Sequence, residues 1–319
     1  MKLLCTGDWH LRFQRPKLRK DFNYLSTQEK KIEWIFALAV EEGCEFILQP
    51  GDFFDSDTTP YLVIRKFLFL ARKYGIQIIT TPGQHDLRYH SMRVDNIPLG
   101  ILETSGLVTC LQRNHKVRKD GVTIYSAGWG EDIPEISAKD EDNFNILITH
   151  RMIIKREKLW NKQDSFVRSN SVLKNNNFGL VVSGDNHKHF IDTFEDKTLI
   201  NCGSLLRTNI SQDKHKPCVY VFDTEDRSAE KYFVPVADAK EIFNAIKQKE
   251  EKLRTDKLDA FIEGLNNTEV QTMDCDYVDS IYDLIAQQEE SDDLKILADE
   301  VFALYYADNS NSRNNSSLG

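Results

Sequence analysis

A repeated pairing leaves this chain the least freedom: a short apolar run with strand character, followed at once by an acid or a histidine. Runs at residues 3–6, 46–49, 76–80, 145–149 and 180–183 lead into Gly7-Asp8-Trp9-His10, Gly51-Asp52, Gly83-Gln84-His85-Asp86, Thr149-His150 and Gly184-Asp185-Asn186-His187-Lys188-His189. Five of the eight histidines fall within these motifs, which chance placement explains poorly. Open α/β sheets gather ligands at the carboxyl ends of their strands, where the chain turns and side chains converge. A D-x-H or H-x-H triplet puts two of its side chains on the same side of an extended segment, because strand side chains repeat every two residues.

Further strand-like runs lie at 122–126, 198–201 and 218–222. Between the early runs, helical patterns intervene. KKIEWIFALAVEE, after a candidate N-cap at Ser26–Thr27, closes at Gly43, and YLVIRKFLFLARKYG also ends on glycine. Strands alternating with helices predict an α/β fold. The crowding of short strands in the second half predicts two sheets packed face to face and flanked by helices. This body is expected to span 1–235. A linker or small capping region would follow at 236–273 and a helical partner-binding segment at 274–306. A low-complexity tail, NSNSRNNSSLG, expected to be disordered, would occupy 307–319. In 274–306, Val278, Ile281, Tyr282 and Ile285, then Leu294, Leu297, Val301 and Tyr305, form apolar helical faces.

Charge divides at the same boundary. Residues 236–319 carry 19 Asp and Glu against 8 Lys and Arg, leaving the first 235 residues with 33 basic and 31 acidic groups. The overall charge of −9 therefore does not argue against a polyanionic ligand for the N-terminal body. The six cysteines are scattered without a C-x-x-C pair and read as small buried hydrophobes rather than disulfides or zinc ligands. No apolar run approaches the roughly 20 residues that cross a bilayer. The N-terminus does not read as a signal peptide, so a cytoplasmic location is expected.

Carboxylate oxygens together with imidazole nitrogens suit divalent ions such as Mn²⁺, Fe²⁺ or Zn²⁺, with Mg²⁺ also admissible. The motifs resemble the signature of calcineurin-like metallophosphoesterases, D-x-H, G-D, G-N-H-D, H and G-H-x-H in that order, over residues 8–189. Gly7-Asp8-Trp9-His10-Leu11 and Gly51-Asp52-Phe53-Phe54-Asp55 resemble its SbcD branch and the recombination nucleases of tailed phages.

The resemblance implies two metal ions, most naturally Mn²⁺. Asp8, His10, Asp52 and His189 would hold one; Asp52, Gln84, His150 and His187 would hold the other, with Asp52 bridging. His85, oriented by Asp86, would face the scissile phosphate. Phosphodiester hydrolysis of DNA, a coiled-coil ATPase partner of SbcC type and a homodimer are the further implications, in a bacterial or phage setting. Two departures stand out: Gln84 replaces the family's Asn, and two residues separate Gly184 from His187 where the family often has none.

Two other functions fit the same residues: a phosphoesterase acting on a non-DNA ester, and a scaffold whose metal site is weakened at Gln84. Asp86 could equally cap its loop, and Arg207 could touch phosphate or lie on the surface. The basic run Arg12, Arg15, Lys17, Arg19, Lys20 would suit a phosphate backbone or an ordinary solvated loop. His90, His115 and His215 have no partner motif and are expected at the surface.

Overall fold

The computed structural model describes residues 1–91, 93–113, 115–155, 166–208 and 212–244. All of these belong to the first of two units into which the chain divides, Met1–Lys252. The expected helical segment at 274–306, the tail at 307–319 and most of the 236–273 region lie outside the described residues.

The first half runs β1 (Lys2–Cys5), α1 (Tyr24–Glu41), β2 (Phe46–Gln49), α2 (Tyr61–Tyr74), β3 (Gln77–Thr80), α3 (Pro98–Thr104) and β4 (Val108–Cys110). Then come β5 (Val117–Lys119), β6 (Val122–Ala127), β7 (Phe144–Thr149), β8 (Ile153–Ile154), β9 (Val167–Arg168), α4 (Ser169–Asn175) and β10 (Leu180–Ser183). The chain continues through β11 (Phe190–Phe194), β12 (Lys197–Asn201), β13 (Cys218–Asp223), β14 (Ala229–Phe233) and the short α5 (Ala239–Ile242). Helix α1 starts earlier than expected. Asn23 is its cap, accepting a hydrogen bond from the Ser26 amide at 3.0 Å, so the first turn includes the Ser-Thr pair.

Two six-stranded mixed sheets form, in the orders β14-β13-β1-β2-β3-β4 and β11-β12-β10-β7-β6-β5. Strand alternation sorts their side chains into three apolar layers. Leu3 and Cys5 of β1, Phe46 and Leu48 of β2, Ile146 and Ile148 of β7, and Leu180 and Val182 of β10 meet between the sheets. Leu4 and Ile47 point the other way, onto α1 and α2. Leu147 and Val181 likewise face Val172 and Leu173 of α4. A fully buried side chain of this size contributes about 1.5–3 kcal/mol, so period-two patterning alone commits both sheets to a helix–sheet–sheet–helix sandwich.

The strands that the sequence reading left out are short or sit at sheet edges. β4 and β5 have three residues each, and β11 and β14 carry polar side chains that edge positions leave solvated. Among the described cysteines, Cys5, Cys110, Cys202 and Cys218 are buried and none is in a disulfide. No helix of the described residues is long and apolar enough to cross a membrane.

In the first sheet β1, β2 and β3 run parallel; in the second β6, β7, β10 and β12 do. Their carboxyl ends open into the loops that bear the motifs, and those loops meet along one rim of the sandwich.

Candidate metal centre

Trp9 sets the geometry of the first loop. Its indole is fully buried, packs 4.7 Å from Phe53 and donates to Thr6 Oγ1 at 2.8 Å. With position 9 committed to the core, Asp8 and His10 are presented together on the opposite side. The amides of Trp9 and His10 both donate to Asp52 O, at 3.0 and 2.9 Å, which ties the first loop to the one after β2. His10 and Asp52 hold left-handed backbone angles, φ 44° and 48°. Non-glycine residues in that region carry strain that concentrates at functional sites.

Glycines let the loops approach. A Cβ at Gly83 would collide with the Asp52 carboxylate, and one at Gly184 with Asp8 Oδ1 and His150 Nδ1. The G-D and G-x-H pairings in the sequence thus have a steric reason.

Asp52 is the centre of the arrangement. Its Oδ2 lies 3.4 Å from His150 Nε2 and 3.5 Å from His10 Nε2, while its Oδ1 accepts from the His85 amide at 2.9 Å. His10 Nε2 faces His187 Nε2 at 3.2 Å, and His187 Nε2 is 3.7 Å from Asp8 Oδ2. His150 is anchored from behind, its Nδ1 lying 2.8 Å from Pro50 O. That hydrogen bond fixes Nδ1 as a donor and turns Nε2 toward Asp52, a common support for a metal-binding imidazole. Gln84 Oε1 is buried with no hydrogen-bond partner, and Asp52 Oδ2 meets only His150 Nε2 and His10 Nε2, at 3.4 and 3.5 Å. Buried polar atoms are nearly always satisfied, so a bare amide oxygen and long carboxylate–imidazole contacts in these loops fit a site for cations. Two ligand groups stand out on distance alone, Asp8 with His10 and His187, and His10 with Asp52 and His85.

The electrostatics agree. Burial alone would depress the His150 pKa, yet the Asp52 and Asp8 carboxylates raise it to about 10. Burial pushes Asp8 well above the usual carboxylate range, with Asp52 adding repulsion. Asp52 is held below that range: His150, His10 and His85 outweigh the burial that would raise it. His10 falls to about 3, mainly through burial, and so offers a neutral imidazole. Two carboxylates this deeply buried demand positive charge beside them, from a proton or a metal ion.

Some candidates lie elsewhere than expected. His189 does not join the cluster; its ring stands 6.0 Å from that of His215 and 6.4 Å from Phe233. The expectation put His189 with Asp8 and His10, but the structure brings His187 there. Asp86 does not hold the His85 ring. Its oxygens accept the amides of Phe53, Phe54 and Gly83 at 3.2, 2.9 and 3.0 Å, clasping two site loops. Burial, reinforced by Asp52, raises Asp86 to about 7 despite those three donors. The exposed His85 ring instead has Nδ1 3.3 Å from Asp55 O and packs edge-on against His10 at 4.9 Å. His215, expected at the surface, is half-buried, with Nε2 2.7 Å from Ser204 O.

Asp55, in the loop after β2, has its carboxylate 3.7 Å from His10 Nδ1 and paired with Arg12. The basic run at 12–20, after the first motif, splits. Arg19 is buried in an ion pair with Asp21, and Arg15 and Lys20 donate to the carbonyls of Asp21 and Lys240. Arg207 is buried too, donating to the carbonyls of Asp213 and Ala237.

A two-sheet sandwich whose parallel strand ends converge on carboxylates and imidazoles defines a metal-dependent phosphoesterase, and the chain belongs to the calcineurin-like phosphoesterase family, whose pattern matches residues 1–189. Among curated proteins it is similar to the double-strand break repair protein MRE11 of Encephalitozoon cuniculi, 23% identical over 269 residues. That match covers 69% of this chain and 45% of the relative, so the chain spans about half the length of the protein it matches. A solved structure, GAP50 the anchor in the inner membrane complex of Plasmodium, aligns at TM-score 0.40 and 13% identity, covering 76% of this chain and 90% of that one; the likeness is too loose to bear on function.

Proposed function

We propose that this chain is a two-metal phosphodiesterase acting on DNA. The observation that carries the metal part is the convergence of the Asp8, His10, Asp52, His150 and His187 ligand atoms at contacts of 3.2–3.7 Å, with Gln84 Oε1 buried and without a partner. Asp8, His10, Asp52 and His187 would hold one divalent ion; Asp52, Gln84 and His150 would contribute to the second, with Asp52 shared. Ions bound there would supply Lewis-acid charge at a phosphoryl oxygen and acidify the attacking water.

The side chains do the remainder. His85 stands at the exposed edge of the cluster, fixed by its amide to Asp52 and by its ring nitrogen to the Asp55 carbonyl. From there it can donate a hydrogen bond to a phosphoryl oxygen or a proton to the leaving oxygen. Asp86 acts through the backbone, holding the Gly83–Asp86 turn against Phe53 and Phe54. Asp55 and Pro50 orient His10 and His150.

DNA as substrate rests on the likeness to a break-repair protein and on the resemblance of the Asp8 and Asp52 motifs to SbcD-type nucleases. A coiled-coil ATPase partner and a homodimer belong to the same reading, as does Mn²⁺ as the working ion. The segment expected to dock on the ATPase, 274–306, lies outside the described residues. The deciding experiment compares Mn²⁺-dependent cleavage of closed-circular plasmid and linear duplex with that of a nitrophenyl phosphodiester. Cleavage of the small ester without DNA would remove the nuclease reading and leave a phosphoesterase of another substrate class. Inactivity on both, with metal bound, would favour a scaffold.

A further inference from the structure

The two ligand sets are unequal as they stand. The first has four members, Asp8, His10, Asp52 and His187. The second has three, because the His187 imidazole faces His10 and Asp8 and its Nε2 can serve one ion. His189 does not make up the number, since its ring packs beside His215 and Phe233.

Asp185 is the acid that stands at the gap. It lies two residues beyond β10, with φ 72°. Its amide donates to both oxygens of Asp8, at 3.2 and 3.1 Å, which pins its backbone into the centre. Its Oδ1 is 3.3 Å from Gln84 Nε2, so its carboxylate lies beside the residue whose Oε1 is buried and bare. His150, only 1% exposed, presents its Nε2 to the shared Asp52 Oδ2 at 3.4 Å.

We propose that Asp185 is the fourth ligand of the second ion, so that the ligand pair of the last motif is Asp185-x-His187 rather than His187-x-His189. This rests on the two-metal reading above and adds to it. The two departures from the family pattern then become one change. A carboxylate supplied from β10 and a longer amide supplied from β3 face each other across the same ion. The second set holds three oxygen donors, Asp52, Gln84 and Asp185, and one nitrogen, His150. The first holds two oxygens and two nitrogens. Oxygen-rich sets suit Mn²⁺ and Mg²⁺, whereas imidazole suits Zn²⁺, so the second position should discriminate more strongly against zinc than the first.

The test is equilibrium dialysis of the full chain against Mn²⁺, with bound metal counted and Mn²⁺ electron paramagnetic resonance recorded for coupling between ions. The wild type should bind two coupled ions, Asp185→Asn one uncoupled ion at the same free metal, and His189→Ala two. Melting curves of the metal-free proteins check that each variant folds. Asp185→His should restore the second ion with its preference moved toward Zn²⁺ in a competition dialysis. Unchanged binding in Asp185→Asn, or loss of an ion in His189→Ala, would overturn the assignment alone. If Asp185 merely oriented Gln84, Asp185→His would weaken every ion alike, and the assignment would again fail. A wild type that bound no pair of ions would remove the two-metal reading and the assignment together.

Discussion

Two of the clusters of buried charge among the described residues are built on opposite rules. At the metal centre, Gln84 Oε1 is an acceptor without a donor, and Asp52 Oδ2 meets only imidazole nitrogens, at 3.4 and 3.5 Å. In the second cluster, cations are met by protein groups. Arg19 has a two-pronged ion pair with Asp21 and also donates to the Arg207 carbonyl at 3.0 Å, and Lys31 donates to Leu205 O at 2.7 Å. Arg207 reaches the carbonyls of Asp213 and Ala237, leaving only its Nε without a partner among these cation nitrogens. Its backbone partners come from the 204–207 loop, Asp213 and the segment entering α5, where Arg19 also lies 5.8 Å from the Phe243 ring. Bare acceptors mark a place kept for something that arrives; satisfied donors mark a strut. The chemistry of the first cluster should therefore be separable from the stability of the second.

The sharpest way to break that comparison is Asp52→Asn. Turnover should fall below detection and bound metal should drop, because both ligand sets lose their shared oxygen. The metal-free protein should still fold but melt at a lower temperature, since the buried His150 imidazole loses the carboxylate that raises its pKa. Normal turnover with two bound ions would contradict the assignment of Asp52.

His85→Ala should lower the rate by about 10²–10⁴, the range of acid–base catalysis, while leaving the metal count and the unfolding midpoint unchanged. A fall in metal count would make His85 a ligand, as its grouping with His10 and Asp52 allows.

For the strut the signs reverse. Arg19→Ala leaves the half-buried Asp21 carboxylate with the Thr27 hydroxyl alone and should cost up to about 3 kcal/mol by urea denaturation. The folded fraction should retain metal binding and turnover. Loss of activity at unchanged stability would show that the basic run serves substrate after all.

The smallest effect is a slope. Burial lowers the Lys31 pKa to about 7, and Arg19 and Arg207 add repulsion. Between that value and the unfolded lysine value near 10.4, the unfolded chain keeps a proton that the folded chain releases. Lys31 therefore makes stability rise with pH across this window, by up to about 1.4 kcal/mol per unit. Lys31→Met should flatten the rise relative to wild type in denaturation series from pH 7 to 10. Parallel curves would place the lysine in water instead.

Much of this was legible in the residues. Period-two runs such as Leu3-Leu4-Cys5 and Ile146-Leu147-Ile148 declare which side chains face which layer, because an extended backbone has no other way to place them. Asp8, His10, Asp52 and His150 could be named because each follows a strand run directly, where little chain is left to redirect it. Helix starts were less legible: Asn23 and Ser26 are both competent caps, and the cap is Asn23, whose own backbone is extended.

The last motif shows where sequence reading ends. Asp185, His187 and His189 recur every second residue, so an extended chain would offer all three to the same side, and spacing cannot rank them. The choice is made by the backbone. Asp185 turns left-handed at φ 72° with its amide fixed to Asp8, and the chain then passes against Gly203, where a Cβ would strike His187 O and the His189 amide. That bend leaves Asp185 and His187 in the centre and sends His189 to His215. Asp86 and Arg19 went the same way, from expected chemistry to structural ties, Asp86 through the amides of Phe53, Phe54 and Gly83 and Arg19 through the Asp21 carboxylate and the Arg207 carbonyl. Residue types and local periodicity determined the sandwich and the ligand chemistry of its rim. Which ligand-type side chains meet there depended on contacts between loops far apart in the chain, which only the folded backbone brings together.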